Sequence, residues 1–225
     1  MATHLDENTG AAAAADIADE IAGGLEADDE ATHLAAVWNG LVARGDELGA
    51  RVRAAERRTG RSRARLNVID SRWDATDSAF SRRTLDEAHG DRKEAPYKTF
   101  YGKASASEVN SFGVQREIAF GRKAVEILGV DPSSPLATEW TPRWVADTDA
   151  LETAAGARDA AVLAEAPLDA EQRLYIDDIN LELDRLEGDL KKLFPGQPKR
   201  VAAFLAPTRA TKQRKTKVEV GGDGT

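Results

Sequence analysis

Residues 169–194 of the chain, DAEQRLYIDDINLELDRLEGDLKKLF, carry its clearest structural pattern. Apolar side chains recur there at intervals of three and four residues, at Ile176, Ile179, Leu183, Leu186, Leu190 and Leu193. This spacing matches the helical repeat and is typical of the core positions of a coiled coil. The stretch therefore predicts a long helix that begins at Asp169 and ends before Pro195.

A similar pattern predicts two further helices, from about Asp29 to Thr59 and from Ser62 to Ala88. Gly60 is placed to end the first of them, because glycine readily adopts the left-handed conformation that follows many helices. A connection as short as Gly60–Arg61 would fold the two helices into an antiparallel hairpin. The apolar seam of the second helix comprises Leu66, Ile69, Trp73, Thr76 and Phe80. Small residues inside the first helix, at Gly40, Gly45 and Gly49, favour the close approach of another helix.

Two more helices are predicted between residues 105 and 165. Ser105 and Glu108 have the spacing of a capping box, which opens a helix that reaches Leu128. Thr141 and Pro142 are typical of a helix start, and the helix that follows extends to about Glu165. Together with residues 169–194 it would form a second antiparallel hairpin, over residues 142–194. We expect Trp140 and Trp144, four residues apart, to anchor the core.

The predicted fold class is all-α: a bundle of about five long helices built around two antiparallel helical hairpins, with disordered termini. We place the bundle domain at residues 29–195. Residues 1–30 contain nine acidic residues and no Lys or Arg, and residues 1–28 are predicted to be largely flexible. A short helix over residues 11–22 would fray there unless something docks it. Residues 196–225 carry seven basic and two acidic residues and are predicted to form a largely flexible basic tail.

Composition excludes several classes of protein. The 225 residues include 31 Lys and Arg against 39 Asp and Glu, which gives a net charge of −8. The absence of Cys excludes disulfide scaffolds and thiolate metal sites. No apolar run approaches the length of a transmembrane helix, and the N-terminus lacks the basic region of a signal peptide. We therefore expect a cytoplasmic protein that does not associate with a membrane.

The few residues suited to catalysis do not form a recognisable motif. Glu30 with His33, and Asp86 with His89, have the carboxylate-to-histidine spacing found in di-iron helical bundles. A turn at Gly60 would bring both pairs to one end of the bundle. Both pairs lie at helix ends, however, and no bridging carboxylates can be identified, so we expect solvated residues with no metal or cofactor. Without a nucleophile motif or a phosphate loop, the chain is not predicted to be an enzyme.

The segment after the first predicted hairpin is unusually aromatic. Tyr97, Phe100 and Tyr101 fall within residues 91–104, which are predicted to form a loop. These side chains must either cap the end of the bundle or lie exposed, and exposed aromatic clusters mark contact sites. We therefore treat them as interaction candidates.

A cluster of arginines surrounds the predicted turn at Gly60. It comprises Arg51, Arg53, Arg57, Arg58, Arg61, Arg63 and Arg65, with Glu56 as its only acidic neighbour. At the tip of a hairpin these side chains would concentrate positive charge, as phosphate binding requires. The basic C-terminal tail would add a second contact. The alternative is a solvated turn with salt bridges to neighbouring helices.

These observations predict a non-catalytic helical interaction protein, namely a scaffold, adaptor or assembly subunit that acts through protein–protein contacts. The apolar seam Ile176–Leu193 has two interpretations. It could pair with a second copy of the chain, which would be one form of such contact, or it could be buried in the core of its own chain. The alternative function is association with nucleic acid or another polyanion through Arg51–Arg65 and the basic tail. No small-molecule ligand is indicated.

Overall fold

The structure is a computed structural model that describes residues 2–208, and within them the chain is helical without strands. The helices are α1 (Ala11–Glu26), α2 (Ala35–Glu87), α3 (Tyr97–Tyr101), α4 (Ala106–Val109), α5 (Val114–Leu128), α6 (Pro135–Leu163), α7 (Ala166–Leu193) and α8 (Pro198–Phe204), with a 3-10 turn at Thr32–Leu34 before α2. The prediction of an all-α fold with several long helices is confirmed.

The chain divides into two compact units. The first unit combines the residues up to Glu56 with those from Ala164 onward, and the second unit comprises Arg57–Leu163. Helix α2 contributes its first part to one unit and its second part to the other. None of the described helices is both long and apolar enough to cross a membrane.

Helix α1 is a core element of the first unit. Its apolar face is buried, with Ile21 and Leu25 fully inside and Ile17 nearly so. Upstream of the helix, Leu5 exchanges two hydrogen bonds with the side chain of Asn180 on α7. The prediction of a largely flexible segment over residues 1–28 is therefore corrected, because α1 docks through its apolar face and keeps its acidic residues, Asp16, Asp19, Glu20 and Glu26, on the exposed face.

Two glycines of α2 allow the close packing of α1. A Cβ atom at Gly45 would lie 2.8 Å from Cβ of Ala15 and would collide with the hydroxyl of Tyr175 on α7. At Gly49 a Cβ atom would meet Ala12 at 3.2 Å. The expectation that small residues admit a neighbouring helix is thus confirmed at these two positions. It is not met at Gly40, which has open space around it.

The seam of α7 lies in the core of the first unit. Ile176, Ile179, Leu183, Leu186 and Leu190 are buried and Leu193 is partly buried. They pack with α1, with the beginning of α2 and with α8, whose Phe204 stacks on Phe194 at 5.9 Å between ring centroids. The predicted flexible tail over residues 196–225 is corrected for α8, while residues 209–225 lie outside the described part of the chain.

Helix α2 is continuous for 53 residues. The predicted helix end at Gly60 and the hairpin turn at Gly60–Arg61 are therefore wrong. Ser62, the predicted N-cap, instead donates its hydroxyl hydrogen to the carbonyl oxygen of Thr59 at 2.9 Å within the helix. A glycine inside a helix costs only about 1 kcal/mol relative to alanine. The packing of the α2 segments that precede and follow Gly60 readily offsets this cost.

The two arms of the predicted second hairpin bury their apolar faces in different units. Helix α6 runs through Pro142 without restarting and buries Trp144 and Leu151 in the second unit. Helix α7 belongs to the first unit. Each helix covers its apolar face with the part of α2 in its own unit, so neither depends on the other to form a core.

The second unit is built on an aromatic cluster. Trp73 of α2 meets Trp144 of α6 edge-on at 5.3 Å, and Phe80 meets Phe100 at 4.8 Å and Trp140 at 5.2 Å. The prediction that Trp140 and Trp144 anchor the core is confirmed. The capping box of Ser105 and Glu108 is also present, although its helix, α4, ends at Val109 and α5 begins separately after Gly113.

Candidate functional site

The arginines of the predicted cluster all lie exposed along α2, and none of them is gathered at a hairpin tip. Arg57, Arg61 and Arg65 are spaced by four residues, so they share one face of the helix. Arg58 lies three residues before Arg61 and borders the same face. We call these four residues, which all belong to the second unit, the arginine surface.

The buried side of α2 explains why the arginine surface points outward. Thr59 and Leu66 are buried and Ser62 is partly buried on the side that packs inward. Because an α-helix turns by 3.6 residues, residues Arg57, Arg61 and Arg65 then fall on the solvent side. The same packing that keeps α2 intact at Gly60 therefore displays the guanidinium groups as a row.

The arginine surface has no acidic partner among residues 2–208. Nine other arginines of the described chain are paired with carboxylates, namely Arg44, Arg51, Arg72, Arg83, Arg122, Arg143, Arg158, Arg185 and Arg200. Six more have no ion pair there, namely Arg53, Arg63, Arg82, Arg92, Arg116 and Arg173. No ion pair or hydrogen bond involves the side chains of Arg57, Arg58, Arg61 or Arg65 in that part of the structure. Although the chain has a surplus of acidic residues, these four neighbouring cations therefore lack carboxylate partners within residues 2–208.

The other three arginines of the predicted cluster lie outside the arginine surface. Arg51 is held by Glu171 of α7 through two hydrogen bonds of 2.7 and 2.9 Å, which raise the pKa of Arg51 and lower that of Glu171. Arg53 is exposed in the first unit, and Arg63 lies two residues from Arg61, on another side of the helix. Neither has an ion-pair partner among the described residues.

The aromatic interaction candidates are buried. Tyr97, Phe100 and Tyr101 form α3 and are 2%, 9% and 5% exposed. Phe100 packs on Phe80, and the Tyr101 hydroxyl donates to Asp77 Oδ1 at 2.8 Å. The sequence left open whether these residues cap the core or lie exposed, and in the structure they cap the core. Their assignment as an interaction surface is therefore corrected, because their rings complete the aromatic cluster of the second unit.

The two carboxylate–histidine pairs belong to different units. Glu30 and His33 precede α2 in the first unit, whereas Asp86 and His89 lie at its far end in the second. Since α2 has no turn at Gly60, the common end that the sequence suggested does not exist. Residues 2–208 contain no group of three or more His, Asp or Glu side chains arranged to hold a metal ion.

Sequence reasoning missed a group of buried and half-buried carboxylates in the second unit. Asp70, Asp74 and Asp77 project from one side of α2 toward Glu117 in the first turn of α5. Burial raises the pKa of Asp77 to about 7 and that of Glu117 to about 8, and it also raises the pKa of Asp74. The spacing of four and three residues along α2 was the available signal, since it matches the helical repeat of an inward face.

Asp77 is the member of this group whose carboxylate oxygens both accept hydrogen bonds. Tyr101 donates to its Oδ1, and the amide of Asn110 donates to its Oδ2 at 2.8 Å in the orientation that satisfies both ends of that amide. The Tyr101 hydrogen bond stabilises the charged carboxylate and so opposes the effect of burial on the pKa. Burial beside Asp77 raises the pKa of Tyr101, which therefore remains a hydrogen-bond donor at all ordinary pH values.

Comparison of the chain with protein-family models, with curated proteins and with solved structures finds no match. The arrangement of its own residues therefore carries the functional argument.

Proposed function

We propose that this chain is a non-catalytic binding protein whose arginine surface contacts the phosphate backbone of double-stranded nucleic acid. The observation that carries the proposal is the row of four exposed guanidinium groups without carboxylate partners in residues 2–208. A guanidinium group presents a planar set of donors that matches phosphate oxygens in bidentate fashion. Because these four arginines form no ion pair within residues 2–208, a contact with phosphate would break none of the salt bridges in that part of the chain.

The dimensions of the arginine surface suit a nucleic-acid strand. Residues 57–65 extend about 12 Å along the helix axis at about 1.5 Å per residue. A strand of duplex DNA presents one phosphate about every 3.4 Å along its axis. The row therefore matches about three or four successive phosphates, one for each arginine at most.

The composition of the surface favours a duplex over unpaired strands. Binding of single strands generally uses aromatic side chains on which bases stack, and residues 51–65 contain none. Backbone contacts alone do not distinguish base sequences. We therefore expect weak binding that is independent of sequence and strongly dependent on salt.

The net charge of −8 does not oppose a local contact of this kind. At physiological ionic strength the screening length is about 8 Å, so acidic residues more distant than this contribute little at the arginine surface. Nearby, residues 57–65 contain five arginines and no acidic residue. The favourable potential is thus confined to this part of α2.

The rival proposal, a scaffold that acts through protein–protein contacts, has lost one of its supports. That proposal relied on an exposed aromatic loop, and Tyr97, Phe100 and Tyr101 are buried. An acidic protein surface would also attract unpaired arginines, and the experiment below includes this partner as a competing outcome.

The test is a titration of the full chain against a fluorescently labelled 20-base-pair duplex, followed by anisotropy over a range of KCl concentrations. With three or four phosphates neutralised, the logarithm of the affinity should fall against the logarithm of salt with a slope of about −3 to −4. The double variant R57A/R61A should reduce that slope by about two and weaken binding to every sequence equally.

A matched control removes two arginines that already have carboxylate partners, since Arg158 pairs with Asp159 and Arg185 with Glu182. The variant R158A/R185A removes two positive charges, as R57A/R61A does. It should bind almost as the unmodified chain does. Absence of binding at low salt, equal loss in both variants, or retention of polyglutamate in preference to the duplex would each overturn the proposal.

A further inference from the structure

Glu117 is a buried carboxyl group for which residues 2–208 supply no basic or amide donor. Its side chain lies in the first turn of α5 and is 2% exposed. Its Oε2 atom is buried without a hydrogen-bond donor among residues 2–208. The same is true of Oδ1 of Asp70 and Oδ1 of Asp74 on the facing side of α2. Leaving buried polar atoms unmatched is costly, so these three atoms require a positively charged or donating group.

The basic residues near this contact are engaged elsewhere or point outward. On α5, Arg116 lies over the ring of Phe112 and Arg122 pairs with Asp149 and Glu152 of α6. Lys123 is exposed.

Within residues 2–208, the remaining elements around the contact also supply no cation. On α2, Arg72 pairs with Asp147 of α6, and Arg63 is exposed. Helix α3 contributes Tyr101, whose hydroxyl is already bonded to Asp77. The groups that face Glu117 are thus Asp70, Asp74 and Asp77, all of one sign.

Asp70 and Glu117 are close enough to hydrogen-bond to each other. Two ionised carboxylates cannot do so, because each offers only acceptors. When one of the two is protonated, its O–H becomes the missing donor for the other. Like charges in such a site raise the pKa of one partner strongly, as burial also does here.

We propose that Glu117 keeps its proton in the folded chain and shares it with Asp70 through a hydrogen bond, and that this shared proton is a pH-sensitive fastening of α5 to α2. In mildly acidic and neutral solution the O–H of Glu117 is donated to the carboxylate of Asp70. At alkaline pH the proton is lost to solvent, a buried negative charge on Glu117 then faces the carboxylates of α2, and α5 loosens from α2. The inference is independent of the proposed nucleic-acid contact, which uses other residues on another side of α2.

The direct test is carboxyl-carbon NMR of the full chain across pH. One glutamate carboxyl should titrate with a midpoint near pH 8, and its signal should be absent in the variant E117Q. A chain in which every glutamate titrates at ordinary acidic pH would overturn the proposal.

Hydrogen exchange and thermal unfolding test the consequence for α5. As pH rises from about 5 to about 8, the unmodified chain should lose several degrees in unfolding temperature, because the unfolded chain releases the Glu117 proton that the fold retains. Over the same range, amide exchange in α5 should accelerate beyond the intrinsic effect of pH. E117Q, whose amide donates permanently, should show neither change. D70N provides a second variant that removes the same repulsion from the α2 side.

The matched control is E126Q, which neutralises an exposed glutamate of the same helix. It should retain in full the loss of stability between about pH 5 and about pH 8. If E117Q and D70N both lose stability with the same pH slope as E126Q, the shared proton does not exist.

Discussion

At the scale of single residues, Gly45 has a role that no local rule assigns to it. In a helix interior glycine is unfavourable by about 1 kcal/mol relative to alanine. Here the missing side chain makes room for Ala15 of α1 and for the hydroxyl of Tyr175, which donates to the carbonyl oxygen of Leu41 at 2.9 Å. Three helices therefore meet where the sequence has its smallest residue.

The substitution G45A should therefore destabilise the first unit. The added methyl group would overlap with Tyr175 and Ala15, and we expect the free energy of unfolding to fall by about 1–3 kcal/mol, as for other overpacked cores. The control G40A adds the same group where no atom lies within 4 Å and should instead stabilise by about 0.5–1 kcal/mol. Urea unfolding measures both. A gain in stability from G45A would contradict the packing described.

Tyr101 provides a second prediction at this scale. The variant Y101F removes the donor to the buried carboxyl group of Asp77 and should lower the free energy of unfolding by about 1–3 kcal/mol. Y97F is the control, because Tyr97 is equally buried but its hydroxyl has no hydrogen-bond partner among the described residues. Chemical denaturation at neutral pH should separate the two variants, and equal stability would show that the Asp77 bond contributes nothing.

At the scale of elements, the decisive feature is the uninterrupted α2. The seam positions of its two predicted halves are continuous if Thr59 and Ser62 are counted among them. Thr59 is buried and Ser62 is partly buried, although both are polar. Polar residues at these two positions concealed the continuity, and Gly60 suggested a turn in its place. The signal was present in the spacing of residues but not in their hydrophobicity.

The variant G60A distinguishes a helix interior from a hairpin turn. In a continuous α2, with no atom within 4 Å of the added Cβ, alanine should raise the free energy of unfolding by about 0.5–1 kcal/mol. In a left-handed turn it would lower stability, because alanine does not readily adopt that conformation. Thermal unfolding followed by circular dichroism gives the sign directly. A loss of stability would restore the hairpin.

At the scale of the whole molecule, the carboxyl groups fall into two classes with opposite dependence on pH. Asp28, Glu108, Glu171 and Glu187 accept hydrogen bonds that lower their pKa values, in the case of Glu187 to about 2. These groups stabilise the fold above their ordinary titration range. The raised pKa values of Asp77 and Glu117 act in the opposite sense, because the folded chain binds their protons more tightly than the unfolded chain does.

This balance predicts an unusual pH profile of stability. As pH rises from about 4 to about 8, the unfolded chain releases protons that Asp77 and Glu117 retain in the fold, so the free energy of unfolding should decrease. Below about pH 4, loss of the favourable hydrogen bonds of the first class should also decrease it. The maximum should therefore lie in weakly acidic solution. Urea midpoints across the pH range measure this, and a maximum at or above pH 8 would contradict it.

The sequence by itself determined the helical class of this protein, the buried seam of α7, the core tryptophans and the capping box at Ser105, because each depends on contacts within one helix or on simple periodicity. It also located the exposed arginines. Only the tertiary structure decided that α2 continues past Gly60, that α1 docks and that α3 is buried. The same holds for the meeting of Glu117 with Asp70. These outcomes depend on which distant segment covers a given face, and the identity of that segment leaves no local pattern in the chain.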